Sequence, residues 1–304
     1  MNKKAALFPT VSLGDSLIFT IIADSLKEMG YEIDFYHDVF YQMSNWFKDY
    51  NFKKLEDLQD LETYDIVYFQ NDDKKRTKEF IEKNKLLKTI SIIYFRYKES
   101  KHGPLSSNDI ALKGNEPIAK ELLKIFQSKK NNLTIPDNLV FKKEKKRVII
   151  HPSSGNIKKN YSKKKLLKFC RNIQKKGFEP VFTIAKNELI NNEDLLKSGI
   201  KVMALESLSD FASYLYESSY LIGNDSFAGH LASYFNIPSI TLAANQNLMK
   251  TWQPGWRKSY ILLPPKWAPN LKGFRIKENR FSFFISVRKL ISSFYQLVKQ
   301  EELN

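Results

Sequence analysis

Gly223-Asn224-Asp225-Ser226-Phe227-Ala228-Gly229-His230 has the residue types of an oxyanion site at a junction of strand and helix. An apolar strand pattern, Tyr220 to Gly223, runs into it, and a helical pattern, Ala228 to Phe235, leaves it. Free N–H groups and the positive dipole end at a helix start favour anions, Ser226 adds a hydroxyl, and His230 adds an imidazole donor. A diphosphate suits that set. Asp225-Ser226 as a plain helix cap, with His230 in the core, is the other use of the same residues.

A second segment, His151-Pro152-Ser153-Ser154-Gly155-Asn156-Ile157-Lys158-Lys159-Asn160-Tyr161-Ser162, again joins a strand to a helix start. Ser153, Ser154 and Gly155 let an oxyanion approach the backbone, and Lys158 or Lys159 could neutralise a leaving diphosphate. A polar loop closed by a Ser162 cap would read the same way. In a third segment, Ser12-Leu13-Gly14-Asp15, a carboxylate stands at the carboxyl end of the first strand. Asp15 could deprotonate a hydroxyl there, or cap the helix that follows.

Other chemistries find no foothold. There is no Gly-x-Gly-x-x-Gly after the first strand, no phosphate loop ending in Gly-Lys-Ser/Thr, no His-Glu-x-x-His and no Gly-x-Ser-x-Gly. The single cysteine, Cys170, sits in a helical pattern and is expected in the core. Asp72-Asp73, beside Lys74, Lys75 and Arg76, is a weak metal candidate that reads as a solvated loop, so no obligatory metal or other cofactor is expected.

The elements that must position these groups alternate. Strands are expected at Ala5 to Pro9, Tyr31 to Tyr36, Asp65 to Phe69 and Ile90 to Phe95, with a helix from Leu17 to Met29 stopped at Gly30. After a Lys-, Asn- and Pro-bearing stretch, strands at Arg147 to Pro152, Pro180 to Ile184, Lys201 to Leu205, Tyr220 to Gly223 and Ser239 to Leu242 alternate with helices at Lys163 to Lys176, Leu208 to Glu217 and Ala228 to Phe235. Such alternation implies parallel sheets. The expected division is an N-terminal α/β domain, 1–135, a linker, 136–146, and a C-terminal α/β domain, 147–280. A C-terminal helical segment, 281–304, closes the chain, with packing back on the N-terminal domain as one option. The helical spacing within it runs from Phe281 to Val298.

Charge separates the halves. Residues 1–144 hold 23 Lys and Arg against 22 Asp and Glu, and residues 145–304 hold 26 against 11, so +15 of the chain's +16 belongs to its second half. That field calls for a polyanionic partner. No apolar run is long enough to span a bilayer, and the start of the chain is too polar for a signal peptide, so a cytoplasmic protein is expected. Arg96 and Lys98, after the strand ending at Phe95, could meet an acidic acceptor, and Trp267, Phe274 and Arg275 could rest on an anionic inner membrane.

Taken together, in this order and spacing, the three segments resemble the heptosyltransferase-type bacterial glycosyltransferases, glycosyltransferase family 9. The resemblance implies the GT-B fold: α/β, two facing Rossmann-like domains with parallel sheets and an interdomain cleft, the N-terminal domain binding the acceptor and the C-terminal one the donor. It implies an inverting, metal-independent transfer of a sugar from a nucleotide sugar, ADP-heptose first, to a lipopolysaccharide or other surface-glycan acceptor. Asp15 in Leu-Gly-Asp then falls at the general base, Gly14 beside the acceptor, and Lys159 at a phosphate-contacting lysine. Ser153, Ser154, Glu188, Asp225, Ser226, Ala228, Gly229 and His230 fall at the donor. Phe227 stands where the family has glycine, Tyr161 replaces its usual tryptophan, and Ala243-Ala244 replaces a later glycine. The implied partners are the nucleotide sugar, an anionic glycolipid or glycan, and the inner leaflet of the membrane, without nucleic acid. A degenerate scaffold of the same fold and a basic polyanion-binding protein stay open as alternatives.

Overall fold

The computed structural model describes residues 3–58, 60–84, 87–128, 135–136, 143–155, 160–266 and 280–303. The chain separates into two units, Met1–Asn138 and Leu139–Asn304.

Unit 1 holds six parallel strands: β1 (Lys3–Phe8), β2 (Tyr31–Tyr36), β3 (Tyr50–Lys53), β4 (Ile66–Asn71), β5 (Ile90–Tyr94) and β6 (Ile110–Ala111), in the order β3-β2-β1-β4-β5-β6. Its helices are α1 (Leu13–Glu28), α2 (Lys75–Asn84), α3 (Glu99–His102) and α4 (Ile118–Ile125). β1 has neighbours on both sides, so its last four residues are buried and read as a continuous apolar run. α1 buries every residue from Gly14 to Leu26. It ends where Gly30, at φ +84°, takes a left-handed turn that a side chain would strain. Short strands such as β3 and β6, and the polar helix α2, have too little apolar pattern to be found by periodicity.

Unit 2 repeats the plan. Its strands are β7 (Glu144–His151), β8 (Glu179–Ala185), β9 (Lys201–Leu205), β10 (Ser218–Asn224), β11 (Ser239–Leu242) and β12 (Tyr260–Leu262), all parallel, in the order β12-β11-β10-β7-β8-β9. Its helices are α5 (Lys163–Gln174), α6 (Glu193–Leu196), α7 (Leu208–Tyr216), α8 (Phe227–Tyr234), α9 (Gln246–Trp252), α10 (Phe281–Phe284) and α11 (Val287–Glu302). Counted within each unit, both sheets run 3-2-1-4-5-6, the Rossmann order. Strand order reverses between β1 and β4 in unit 1 and between β7 and β10 in unit 2. Those two carboxyl-end crevices are where such sheets take ligands.

The helix expected from Phe281 to Val298 is instead two helices. Ser286 restarts the chain as the N-cap of α11, accepting from Lys289 N–H at 3.1 Å. Lys165 of α5 holds the break, donating to the carbonyls of Ser282, Phe283 and Ile285 at 2.5, 3.2 and 3.0 Å. α11 packs on α5 and on the last two strands, burying Leu290, Phe294, Leu297 and Val298. Cys170 lies in that core. Among the described residues no helix is long and apolar enough to cross a membrane.

Candidate active site

In unit 1 the crevice is organised around Asp15. The carboxylate sits in the first turn of α1, whose N-cap is Ser12, so Asp15 is not the cap. Asp15 Oδ2 accepts from the Thr10 hydroxyl at 2.7 Å and from Gln70 Nε2 at 2.9 Å, and Gln70 Oε1 accepts from Thr10 N–H at 3.1 Å. This closed ring spans the switch point, because Thr10 follows β1 and Gln70 belongs to β4. Both donors go to one oxygen, and Oδ1 takes no hydrogen bond among the described residues. Burial pushes the Asp15 pKa up to about 6; the Thr10 and Gln70 hydrogen bonds oppose it, the Asp72 charge adds to it and the Lys74 charge opposes it. The result is a carboxylate that is still ionised at pH 7 yet more basic than an exposed one, with one oxygen open to a proton.

In unit 2 the loops after β7 and β10 are riveted together by Asn224, 1% exposed at the end of β10. Its Nδ2 donates to the Pro152 carbonyl at 2.5 Å, and its Oδ1 accepts from Tyr161 N–H at 2.8 Å. The strands approach closely here: a Cβ at Gly223 would stand 3.3 Å from the His151 carbonyl oxygen and 3.3 Å from its Cβ. Gly223→Ala should therefore destabilise unit 2 by about 1–3 kcal/mol, because the obstacle is backbone held in the sheet. Denaturant unfolding checks this, and an unchanged midpoint would show that β7 yields freely.

Beyond Asn224, Ser226 is the N-cap of α8, but among the described residues its hydroxyl makes no capping bond and is buried without a partner. His230, one turn along the same face, has a buried Nδ1 that is likewise unpartnered. Desolvation lowers its pKa to about 4, so the ring is neutral at pH 7. Two buried polar atoms without a partner among the described residues, at a helix start, are groups whose hydrogen bonding an oxyanion would complete.

The remaining expected positions fall around these. Ser153 donates to Glu188 at 3.0 Å, bringing two residues far apart in sequence together. Ser154 donates to Asn160 at 2.7 Å. Asp225 and Phe227 are partly exposed on either side of Ser226. Ala228 is buried, and Gly229 serves packing: a Cβ there would meet the Thr241 hydroxyl at 3.3 Å and Pro254 at 3.6 Å. Gly14 is buried in α1, and Arg96 and Lys98 are exposed after β5. Lys158 and Lys159, like Trp267, Phe274 and Arg275, lie outside the described residues. Asp72 is occupied by Thr77 and Lys74, and Asp73 by Lys101 and His102. Thr10, Gln70 and Asn224 were not singled out by sequence. The Thr10–Asp15 bond joins residues five apart, but the Thr10–Gln70, Gln70–Asp15 and Asn224–Tyr161 bonds join residues 55 or more positions distant.

Two Rossmann-order units in one chain, each with its polar groups at the switch point, are the architecture of the GT-B class of glycosyltransferases. The chain belongs to glycosyltransferase family 9 (heptosyltransferase), whose sequence profile matches residues 106–274. It is 31% identical over 144 residues to a lipopolysaccharide heptosyltransferase 1 of Campylobacter coli, a stretch covering 44% of this chain and 40% of that relative. It is similar in structure to E. coli ADP-heptose lipopolysaccharide heptosyltransferase II, with a TM-score of 0.71 at 13% identity over 99% of both chains. An E. coli heptosyltransferase solved with ADP gives 0.66 at 10% identity, over 97% of this chain and 99% of that one. A family 9 glycosyltransferase of Veillonella parvula gives 0.65 at 13%, over 98% of both.

Proposed function

We propose that the chain is an inverting glycosyltransferase that moves a sugar from a nucleoside diphosphate, ADP-heptose first, to a hydroxyl of a lipopolysaccharide core or similar anionic surface glycan. The observation that carries this reading is the pair of buried, unpartnered atoms, Ser226 Oγ and His230 Nδ1, at the start of α8 beside the β7–β10 switch point. In the reaction, Asp15 Oδ1 takes the proton of the acceptor hydroxyl, and the hydroxyl oxygen attacks the anomeric carbon. The bond from that carbon to the diphosphate oxygen breaks on the opposite face. The nucleoside diphosphate leaves with the electron pair. Charge growing on it is met by the α8 N-terminus, the Ser226 hydroxyl and a lysine of the 158–159 pair, so the transfer needs no metal cofactor. The excess of cations in residues 145–304 supports a polyanionic donor and peripheral work at the cytoplasmic face of an anionic membrane.

The test is thermal stabilisation of the purified protein by ADP, UDP, GDP and CDP and their sugar conjugates. One nucleoside diphosphate should stabilise the wild type, and Ser226→Ala with His230→Ala should abolish that response while melting near the wild-type temperature. No stabilisation by any of them would sink the donor site. Equal stabilisation of wild type and variant would move it elsewhere.

A further inference from the structure

His37 follows β2, the strand beside β1 on the side opposite β4, and is 4% exposed. Its Nδ1 accepts from Val39 N–H at 3.0 Å and from Phe40 N–H at 2.9 Å. Those bonds cap the short 3₁₀ helix Phe40–Trp46 from two and three residues upstream, the geometry of an Asx turn. An Asn, Asp or Ser side chain does that work routinely, so the cap alone does not call for imidazole. Accepting at Nδ1 fixes the proton of the neutral ring on Nε2. That Nε2–H is buried and meets no acceptor in full hydrogen-bond geometry among the described residues. Burial holds the ring's pKa below its usual value, opposed by the Asp38 charge and then by the backbone of Val11 and Thr10, whose carbonyls lie towards the ring. Thr10 is the residue whose hydroxyl is bonded to Asp15.

We propose that His37 is a positioning residue for Asp15, acting through the Thr10–Val11 backbone to hold the Thr10 hydroxyl against the carboxylate. Gln70 braces the loop from the β4 side and His37 from the β2 side, so Thr10 is held between them. An unsatisfied donor at Nε2 is costly, and movement of the Thr10 and Val11 carbonyls towards it is the local way to lower that cost. The loop is thereby biased towards His37 and away from free motion.

The inference deepens the role proposed for Asp15, but its test needs no substrate. In protein labelled with ¹³C at the aspartate carboxyls, the resonance missing from Asp15→Asn is that of Asp15. It should titrate near pH 6 in the wild type. His37→Asn keeps an acceptor for Val39 and Phe40 N–H and deletes the Nε2 donor. Loosening the Thr10 bond, which favours the ionised form, should raise the Asp15 protonation constant about threefold to tenfold. Thr10→Val should do the same, and combining the two should add little more. The charges nearest the carboxylate, Asp72 and Lys74, are untouched by either change. An unchanged Asp15 titration in His37→Asn overturns the proposal, as does full additivity with Thr10→Val. A titrating Asp15 that obeys these rules in an enzyme whose Asp15→Asn variant keeps its activity would leave the proposal standing and remove the general base.

Discussion

Asp15→Asn should abolish transfer and at the same time stabilise the protein. Asparagine has the same shape, and its side-chain oxygen can accept from both Thr10 and Gln70, so the ring that defines the site survives. What is lost is the proton acceptor, worth about 10²- to 10⁴-fold in rate. What is gained comes from burial of a charge. The unfolded carboxyl titrates near 3.8 and the folded one near 6. Above about pH 6 the native wild type therefore carries the whole cost of an ionised buried acid, and below about pH 4 both states are protonated and the cost is gone. The variant should thus be more stable by about 1–3 kcal/mol at pH 7–8, with the advantage fading as pH falls from 6 to 4. For the same reason the wild-type kcat/KM should fall below pH 6 as Asp15 takes up a proton. Denaturant melts of both proteins across this range check the stability arm; a wild type that is the more stable at pH 8 would mean that Asp15 is a structural carboxylate.

Asn224→Leu should have the largest effect on unit 2. The two side chains are close in volume, yet leucine leaves the Pro152 carbonyl and the Tyr161 N–H without their partners in a region with little solvent. Two stranded backbone groups cost about 2–5 kcal/mol together. The loop that carries Ser153 and Ser154 would no longer be tied to the strand that carries Ser226. Nucleotide-induced stabilisation should therefore weaken more than tenfold in apparent affinity even below the melting temperature. Asn224→Asp, which keeps the acceptor for Tyr161 N–H and loses the donor to Pro152, should fall between the two. A leucine variant that melts with the wild type would show that water replaces both bonds.

How far the site can be read from sequence follows from what each residue's partners are. Ser226 and His230 are four apart on one helix, and Asp15 follows a strand by a short turn, so pattern alone places them. Inner strands are legible for the same reason: β1, β5 and β11 carry apolar runs with clear ends. Gln70 and His37 look like ordinary residues after ordinary strands. They acquire meaning only once β4 and β2 are known to flank β1. Asn224 was written within the donor segment, but its work, tying Pro152 to Tyr161, is across two loops. Apolar spacing continues through the break at Ile285 and Ser286, so periodicity does not show it. The agents of the break are a hydroxyl cap and a lysine more than a hundred residues upstream.

The placement of α11 has a consequence for biosynthesis. Phe294 meets Phe169 and Phe178 edge to face, Leu290 and Leu297 complete the same core, and Arg257 holds Glu301 near the chain end. During translation β1 through α4 emerge early and can close their own sheet. The second sheet waits for α11, so the part of its apolar face that Leu290, Phe294 and Leu297 cover stays open until that helix has been made. Exposed apolar surface of this kind favours association, so the interval before α11 docks is when the second unit is most open to misassembly.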